Sequence, residues 1–463
     1  MRNRRIWKSG SPAATDEAAA QDERTKRDEG RPGVIAAHDA AHDPDDASDD
    51  AAAEMGRARP ISVGIVGGGV GGLTAALSLL RRGIEVHVYE QAQALGEVGA
   101  GVQVSPNAAR VLHGLGLADE LARTGVKPVA WHQRRWDDGR TLLRSPLAEP
   151  LEATFGFPHY QMHRADLLAA LAGEVPAGRV HLGHRLTGLT DHGDRVEARF
   201  ANGASVEVDL LVGADGIRSL VREELFGPEH PRFTGCAAYR GLVPAERLNA
   251  LGLEVTSQVW MGPGRHFVHY FVSGGRLVNF VAVIEQSTWT RESWTDRGSV
   301  ADALAAFAGW HPQVRAIIEA VDETFIWALF DRAPLERWSA GRVTLLGDAC
   351  HPMLPFMAQG AAQAIEDGAT LAACLAACPS VAGVPDVAAA LRRYEMARIP
   401  RASRLQSMSA TNKTRFHLPD GSEQRERDAR MAAGATDWSF DAVAWIYEHD
   451  ATVVQPEPDA TLA

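Results

Sequence analysis

ISVGIVGGGVGGLTAALSLLRRGIEVHVYE, residues 61–90, is the stretch that decides the fold of this 463-residue chain. Its apolar, β-branched beginning predicts a short buried strand. A segment with helical apolar spacing follows and ends at Gly83, and a second apolar run then ends in Glu90. The order strand, glycine-rich turn, helix, strand is that of a βαβ unit, so the sequence predicts an α/β fold.

The turn in this stretch carries a G-x-G-x-x-G motif, which is typical of nucleotide binding. Gly67, Gly69 and Gly72 let the backbone turn sharply and approach a pyrophosphate, which the N-terminus of the following helix stabilises. Glu90 lies 23 residues after Gly67, where a carboxylate can bind ribose hydroxyls and would repel a ribose phosphate. The motif alone leaves open a glycine-rich turn without a ligand. In this context it predicts an NAD-like nucleotide or FAD rather than NADP.

Two later stretches repeat the pattern of an apolar strand followed by an acid and a helix. VEVDLLVGADGIRSLVREELFG (206–227) places Asp215 after its strand, and GRVTLLGDACHP (341–352) places Asp348 after another. The carboxyl ends of strands are where open α/β sheets bind ligands. Taken alone, the first stretch is equally compatible with an ordinary strand-to-helix turn. After the second, an Ala-rich segment predicts a helix over about 358–377 whose first turn holds small residues.

Composition excludes several other classes of protein. The net charge of −12 argues against a nucleic-acid partner or an anionic membrane surface. Four cysteines without a CxxC motif predict neither a disulfide framework nor a metal site, and they fit a reducing cytoplasm. No apolar run is long enough to predict a transmembrane helix. Residues 1–58 hold few large apolar side chains and predict a disordered N-terminal extension, although translation starting at Met55 is an equally good explanation.

The three signals, in this order and spacing, resemble the FAD-dependent aromatic hydroxylases, which are the group A flavoprotein monooxygenases. GADGIRS (213–219) resembles the family's DG motif, and GDACHPMLPFMAQG (347–360) resembles its GD motif. The resemblance covers about residues 60–415. It implies an α/β fold with a Rossmann-like FAD-binding domain in a three-layer ββα arrangement, an antiparallel β-sheet substrate domain and C-terminal helices. The single G-x-G-x-x-G implies one stable FAD site, with NADH and O2 as transient co-substrates.

The resemblance also implies how the chain is divided. The expected segments are a discontinuous FAD-binding domain (59–130, 160–228 and 332–385), a substrate-binding β-sheet domain (131–159 and 229–331) and a C-terminal helical region (386–463) whose helices Pro400 breaks. The strands expected in the substrate sheet are 236–244, 255–262, 265–274 and 276–285, with further strands near 131–144.

By resemblance, Asp348 binds the flavin ribitol and the following helix N-terminus faces the pyrimidine end of the ring. Arg110 and Arg164 match nucleotide-contacting arginines, and a surface salt bridge is the alternative for both. The full set of implied cofactor-binding residues is Gly67, Gly69, Gly72, Glu90, Gln91, Val102, Arg110, Arg164, Asp215, Asp348, Gln359, Gly360 and Ala361.

The substrate pocket is expected beside this ring. AYRGLVP resembles the strand of salicylate, 3-hydroxybenzoate and 6-hydroxynicotinate hydroxylases in which a tyrosine approaches the substrate, which points to Tyr239. The implied substrate-binding residues are Tyr239, His269, Phe271, Met353, Pro355 and Met357, and the implied catalytic residues are Tyr239 and His351. Alternation along 265–274 does not decide which face of that strand lines the pocket. Gly235 stands where some relatives have a histidine base, so Tyr239, His351, a water chain or an already ionised substrate remain alternatives.

The resemblance implies hydroxylation of a small phenolic acid through a flavin hydroperoxide, in a pocket that an apolar loop keeps dry. Similarities in the C-terminal part favour salicylate, converted to catechol, over 3-hydroxybenzoate and 6-hydroxynicotinate. An anionic substrate needs a cationic partner, for which Arg240 and Arg265 are candidates. The protein is expected to be cytoplasmic and to form a homodimer. Two alternatives are a flavin oxidase or dehydrogenase and, from a different class, a non-catalytic sensor of flavin or aromatic compounds.

Overall fold

The stretch 61–90 forms the βαβ unit that its sequence predicts. In the computed structural model its first strand is Ser62–Val66, its helix is Val70–Leu80 and its second strand is Glu85–Tyr89, parallel to the first. The described residues are 61–96, 100–289, 297–378, 380–381, 384–434 and 439–454, and they belong to one compact unit. The predicted N-terminal extension, including the alternative start at Met55, lies outside the described residues.

The strands are β1 Ser62–Val66, β2 Glu85–Tyr89, β3 Gly101–Val104, β4 Ala130–Arg135, β5 Thr141–Pro146, β6 Tyr160–His163, β7 Val180–His181, β8 Leu186–Asp191, β9 Val196–Phe200, β10 Ser205–Val208, β11 Leu210–Gly213, β12 Arg232–Pro244, β13 Ser257–Gly262, β14 Arg265–Val272, β15 Leu277–Glu285, β16 Arg297–Gly298, β17 Thr324–Asp331, β18 Ser339–Ala340, β19 Val343–Leu345, β20 Ser380–Val381 and β21 Val384–Pro385. The helices are α1 Val70–Leu80, α2 Pro106–Gly114, α3 Ala118–Thr124, α4 Ala148–Phe155, α5 Arg164–Glu174, α6 Leu220–Phe226, α7 Val300–Ala306, α8 Pro312–Glu319, α9 Gly360–Ala376, α10 Val387–Phe416, α11 Ser422–Ala432 and α12 Phe440–Tyr447.

The three predicted nucleotide signals follow three neighbouring strands of one six-stranded sheet. Its order is β18-β19-β11-β1-β2-β7, and β19, β11, β1 and β2 pair in parallel. Because parallel strands end at the same edge, the glycine turn after β1, Asp215 after β11 and Asp348 after β19 lie along one edge of the sheet.

The six-stranded sheet is the middle of three layers. Its core is shared with the three-stranded antiparallel sheet β8–β10 and with helices α1 and α9, which confirms the expected ββα arrangement. The two helices pack backbone against backbone, since a side chain at Gly368 would come within 2.7 Å of the Ala75 nitrogen. Gly71 of α1 likewise faces Ala364 of α9, so both helices run in the same direction. Their N-termini therefore lie at the same end.

A second sheet has eight strands in the order β16-β17-β12-β15-β14-β13-β4-β5. It contains the strands expected for the substrate domain, including the two near 131–144. The expectation of an antiparallel sheet needs one correction, because β4 pairs with β13 in parallel. The outer face of this sheet packs against α7 and α8, and its inner face packs against the loop 353–357.

Helix α10 has 30 residues and continues through Pro400. The expectation that Pro400 breaks the C-terminal helices is therefore wrong. Proline removes the hydrogen bond to the carbonyl of Met396, but Met396 is 55% exposed and water can replace that bond. Arg398 and Arg401 anchor the helix on both sides of the proline through buried carboxylates. No helix within the described ranges combines the length and apolarity that a membrane crossing requires.

Candidate active site

The glycine turn after β1 has the geometry that a pyrophosphate site needs. A side chain at Gly67, whose φ is 112°, would overlap the Ala214 carbonyl, and one at Gly72 would overlap the Gly67 carbonyl. At Gly69 the situation is reversed, because an added Cβ would meet no protein atom within 4 Å. Gly69 is also the N-cap of α1 and provides no capping side chain, so the first-turn N–H groups are available to an anion.

Glu90 holds this turn in place and retains acceptor capacity. Its Oε2 accepts a hydrogen bond from the Gly68 nitrogen at 2.6 Å, and its Oε1 accepts one from the Ala92 nitrogen at 2.8 Å. A carboxylate has about four acceptor positions, so ribose hydroxyls can still donate to it. The neighbouring Gln91 is exposed at the same edge. Both residues remain predicted cofactor ligands, and their geometry fits that role.

Asp215 is bound to the start of α6 and remains a predicted cofactor ligand, since it is only partly buried. Its carboxylate accepts hydrogen bonds from Ser219 Oγ at 2.5 Å and from the backbone nitrogens of Leu220 at 2.8 Å and Val221 at 3.2 Å. Burial raises the pKa of Asp215, while these donors favour the ionised form. The side chain thus caps α6, and it shapes the turn beside the cofactor edge.

Asp348 projects from the same edge. It is exposed, whereas its neighbours Gly347 and Ala349 are buried, so the carboxylate points away from the core. The Gly347 nitrogen donates to Asp367 Oδ2 at 2.9 Å, which fixes the backbone that carries Asp348. This arrangement fits the predicted binding of ribityl hydroxyls.

The N-terminus of α9 is open to a flat ring. A Cβ added to Gly360 would contact only Met353 Cγ, at 3.9 Å. Gln359 is buried and held by Ser105 Oγ at 2.9 Å and Asn107 Nδ2 at 3.2 Å, so the turn before the helix is rigid. The helix begins two residues later than predicted, since the preceding Ala358 takes a left-handed conformation.

Beside Gly360, Ala361 is partly exposed in the first turn of α9. The glycine turn, Asp348 and this helix N-terminus together fit FAD.

The two predicted nucleotide-contacting arginines differ in their surroundings. Arg110 Nη1 lies 4.0 Å from an oxygen of Asp450, and its guanidinium lies 4.7 Å from the centre of the Phe157 ring. These contacts match the salt-bridge alternative. Arg164 opens α5, and its backbone nitrogen donates to the Ala100 carbonyl at 2.9 Å. Val102 lies in β3, partly buried against the α1–α2 core.

The inner face of the eight-stranded sheet forms an apolar floor with a cation at one side. Arg240 on β12 pairs with Val281 on β15, which pairs with Val268 on β14. Both valines are only partly buried, and Met353 packs against the same cluster. The Arg240 guanidinium lies 4.5 Å from the centre of the Trp327 ring, a distance typical of a cation–π contact. This row can receive an aromatic ring with a carboxylate.

The structure does not bring Tyr239, His269 and Phe271 to this floor, which corrects three predicted site residues. All three lie on the outer face. Tyr239 belongs to the core beneath α7 and α8, Phe271 packs against that core, and His269 Nε2 lies 3.5 Å from Gln313 Nε2 of α8. Successive strand residues point to opposite faces, so placing Arg240 inside forces Tyr239 outside.

His351 is also displaced from its expected role. It is buried, its Nε2 lies 2.6 Å from Asp367 Oδ2, and its ring packs on Trp338. His351 therefore anchors the start of the loop 353–357 to the core and does not face the pocket. Cys350, His351 and Asp367 have donor atoms close enough for a metal, but Asp367 is already bound by Arg398 Nε at 2.7 Å.

The predicted apolar loop residues divide between the pocket and the core. Met353 is partly exposed and Pro355 is exposed, so both can contact a ligand. Met357 is buried, and its sulfur lies 2.9 Å from Asn412 Nδ2 of α10. Met357 therefore anchors the loop to α10, and its predicted contact with substrate is corrected.

A buried ionic network lies beneath the loop and the α9 N-terminus. Glu366 is bound by Arg398 and Arg401, and Asp367 by Arg398, with Glu366, Asp367 and Arg398 fully buried. Burial by itself would raise the pKa of Glu366, but the arginines outweigh it and lower that pKa to about 2. Asn107 Nδ2 also donates to Glu366, which links the network to Gln359.

Sequence reasoning missed several polar residues on the inner face. Asn279 Oδ1 accepts from the Gly101 nitrogen at 2.8 Å, and Tyr270 reaches the same glycine, so the sheet is tied to β3. Burial raises the pKa of Tyr270. The His266 ring lies 4.8 Å from that of Phe356 in the apolar loop. The strand register that pairs β12 with β15 and β15 with β14 would have identified these residues, because it places them on the same face of the sheet as Arg240.

Comparison with known proteins agrees with this architecture. The chain belongs to the family described as FAD binding domain, whose model matches residues 60–409. With the relatives described next, this defines an FAD-dependent aromatic hydroxylase, which is a flavoprotein monooxygenase.

The relatives give the class more detail. The chain is 44% identical over 392 residues to 3-amino-4-hydroxybenzoate 2-monooxygenase PtmB3 of Streptomyces platensis, covering 85% of this chain and 97% of that one. It is 41% identical to a 6-hydroxynicotinate 3-monooxygenase of Bordetella bronchiseptica (76% and 91% covered) and 35% identical to a salicylate hydroxylase of Pseudomonas putida (84% and 93%). Among solved structures, Klebsiella pneumoniae HpxO complexed with FAD and uric acid matches with a TM-score of 0.74 at 28% identity, covering 84% and 95%.

Proposed function

We propose that this protein hydroxylates a monocyclic phenolic acid, with NADH as the electron donor and O2 as the oxygen source. The observation that carries the proposal is the row of Arg240, Val281 and Val268 beside the accessible loop residues Met353 and Pro355. A ring can lie on the valines while its carboxylate pairs with the guanidinium. One oxygen atom of O2 enters the ring. The other oxygen atom is reduced to water by the two electrons of NADH.

The residues of the chain have three tasks in this reaction. Arg240 orients the acid so that one ring carbon faces the flavin edge. The loop with Met353, Leu354 and Phe356 excludes water, which strengthens the electrostatic contacts inside the pocket. FAD, when bound, supplies the redox chemistry that activates oxygen. Asp348 and the α9 N-terminus at Gly360 are proposed to hold it.

The relatives suggest which acids to test first. Their names specify 3-amino-4-hydroxybenzoate, 6-hydroxynicotinate and salicylate, each a six-membered ring with a hydroxyl and a carboxylate. The higher identity to the aminohydroxybenzoate enzyme makes 3-amino-4-hydroxybenzoate the first candidate. Salicylate, with conversion to catechol and carbon dioxide, is the second because of the C-terminal similarities described above. The test panel also includes 3-hydroxybenzoate.

The experiment measures NADH oxidation by the FAD-loaded protein with each acid and identifies the products by mass spectrometry. We expect at least one acid to stimulate NADH oxidation and to gain one oxygen atom. NADPH in parallel tests the choice of donor. If no acid of this class is hydroxylated although FAD is bound, the proposed function is wrong.

A further inference from the structure

We propose that His266, His417 and Glu285 form a proton pathway that carries the phenolic proton of the substrate from the inner face of the sheet to the protein surface. This inference rests on the proposed function, since it concerns the base that hydroxylation of a phenol requires. It supplies a base in a protein where Gly235 stands in place of the histidine of some relatives and where neither Tyr239 nor His351 reaches the pocket.

The three side chains form one continuous hydrogen-bonded chain. His266 Nδ1 lies 2.7 Å from His417 Nε2, and His417 Nδ1 lies 2.9 Å from Glu285 Oε1. Both imidazoles are buried, whereas the side chain of Glu285 is 46% exposed. The chain therefore starts in the interior and ends at solvent.

The carboxylate fixes the direction of every hydrogen bond in this chain. An ionised Glu285 can only accept, so His417 Nδ1 carries a proton and donates it. In a neutral imidazole the other nitrogen is then an acceptor, so His266 Nδ1 must donate to His417 Nε2. The remaining nitrogen, His266 Nε2, consequently has a free lone pair. Among the described residues, the His266 ring makes no further hydrogen bond beyond the one to His417.

His266 is placed where such a lone pair can meet a substrate. It stands on the inner face of β14, two residues from Val268 of the proposed floor, and pairs with Val283. Its ring packs edge-to-face on Phe356 of the apolar loop, with centres 4.8 Å apart. The lone pair on His266 Nε2 can therefore accept a hydrogen bond from a substrate hydroxyl.

Burial is the main reason why both imidazoles are neutral. Burial, followed by the proximity of His417, lowers the pKa of His266 well below its ordinary value. Burial also lowers the pKa of His417, with opposing effects from Glu285, which raises it, and from Lys413 and Arg265, which lower it. Neutral rings can pass a proton along the chain without storing a charge.

Transfer along the chain is balanced. The phenolic O–H breaks as His266 Nε2 gains a proton, and His266 Nδ1 releases its proton to His417 Nε2. His417 Nδ1 then releases its proton to Glu285, which passes it to bulk water. The substrate is left as a phenolate, the form whose ring carbons are most readily hydroxylated.

His266→Gln and His269→Gln provide a matched comparison, because both histidines are buried on β14 and face opposite sides. The probe is 4-hydroxy-3-nitrobenzoate, whose phenolate absorbs visible light. It is mixed by stopped flow with the FAD-loaded protein without NADH, at a pH low enough that the free probe is still a protonated phenol. We expect phenolate formation to slow by at least about 10-fold in His266→Gln, since general-base catalysis contributes on the order of 10²–10⁴ in rate. His269→Gln should keep the wild-type rate.

A surface variant covers the case in which His266→Gln does not fold. Glu285→Gln keeps a polar side chain but cannot take up the proton, and Glu254→Gln removes a similarly exposed carboxylate that pairs with Arg144. We expect slower phenolate formation and less product per NADH in Glu285→Gln only. If the wild type hydroxylates phenolic acids but Glu285→Gln forms phenolate at the wild-type rate, the pathway is wrong. If the wild type hydroxylates none, the proposed function itself fails.

Discussion

Asp348 is the exposed acid that we expect to contribute most to FAD binding. Its two neighbours are buried and its backbone is held by Asp367, so the carboxylate is preorganised at the cofactor edge. We expect Asp348→Ala to weaken FAD binding by at least about 10-fold, the effect of losing a charged hydrogen bond. Flavin fluorescence titration measures this affinity. Asp322→Ala, which removes an exposed carboxylate beside α8, is the control and should bind FAD as the wild type does.

Arg240 and Tyr239 test the assignment of the two sheet faces. Arg240→Gln should weaken binding of the acid substrate by about 10-fold or more, because the carboxylate loses its charged partner. Tyr239→Phe should change binding and turnover by less than about twofold, since Tyr239 lies under α7 and α8. Both are measured by substrate titration of the flavin absorbance and by steady-state rates. Strong impairment in Tyr239→Phe would contradict the placement of β12.

At the residue scale, the sequence was sufficient to predict residues whose role depends on the local backbone conformation. The glycines and Asp348 belong to this group, because a tight turn or a strand end fixes their environment. Tyr239 and His269 could not be placed in this way. Both faces of the central strands are covered by apolar layers, so alternation looks the same whichever face is inside.

Among the elements, α9 depends on its buried carboxylates. The pKa of Glu366 is lowered to about 2, so its stabilisation is complete above pH about 4.5 and is lost as pH falls toward 2. Glu366→Gln should lower the free energy of unfolding by about 3 kcal/mol at pH 7, because two arginines lose a partner. Urea unfolding measures this difference, which should shrink between pH 5 and pH 3. A difference independent of pH would show that the charge of Glu366 is not responsible.

Helix α10 offers a test of how proline is tolerated. Pro400 lacks the N–H that would bond to the Met396 carbonyl, and the helix continues because Arg398 and Arg401 hold it. We expect Pro400→Ala to raise the free energy of unfolding by about 1–3 kcal/mol, as alanine restores this bond. Chemical denaturation gives the value. A destabilised variant would mean that the packing of α10 requires the proline.

Element boundaries show the limits of local signals. The sequence predicts the start of α9 at about Ala358, but the chain takes a left-handed turn there and the helix begins at Gly360. The parallel pairing of β4 with β13 was not predictable either. It joins segments more than 120 residues apart, and their relative direction depends on how the intervening chain returns.

For the whole molecule, the main result is that three separate segments of the chain meet at one edge. Strands β1, β11 and β19 lie side by side, and α1 and α9 run in the same direction, so the glycine turn, Asp348 and Gly360 face one cofactor edge. Sequence could predict the three signals and their order. The position of this edge relative to the inner face of the second sheet could not be predicted from the sequence. It depends on the long-range contacts of Gly101 with Asn279 and Tyr270.

The most direct test of the proposed hydroxylation follows oxygen into the product. The FAD-loaded protein is supplied with ¹⁸O2, NADH and 3-amino-4-hydroxybenzoate, or whichever acid of the panel stimulates NADH oxidation most, and the product is weighed by mass spectrometry. One ¹⁸O atom is expected in each product molecule. A product without ¹⁸O, or hydrogen peroxide as the sole fate of oxygen, would contradict the proposal.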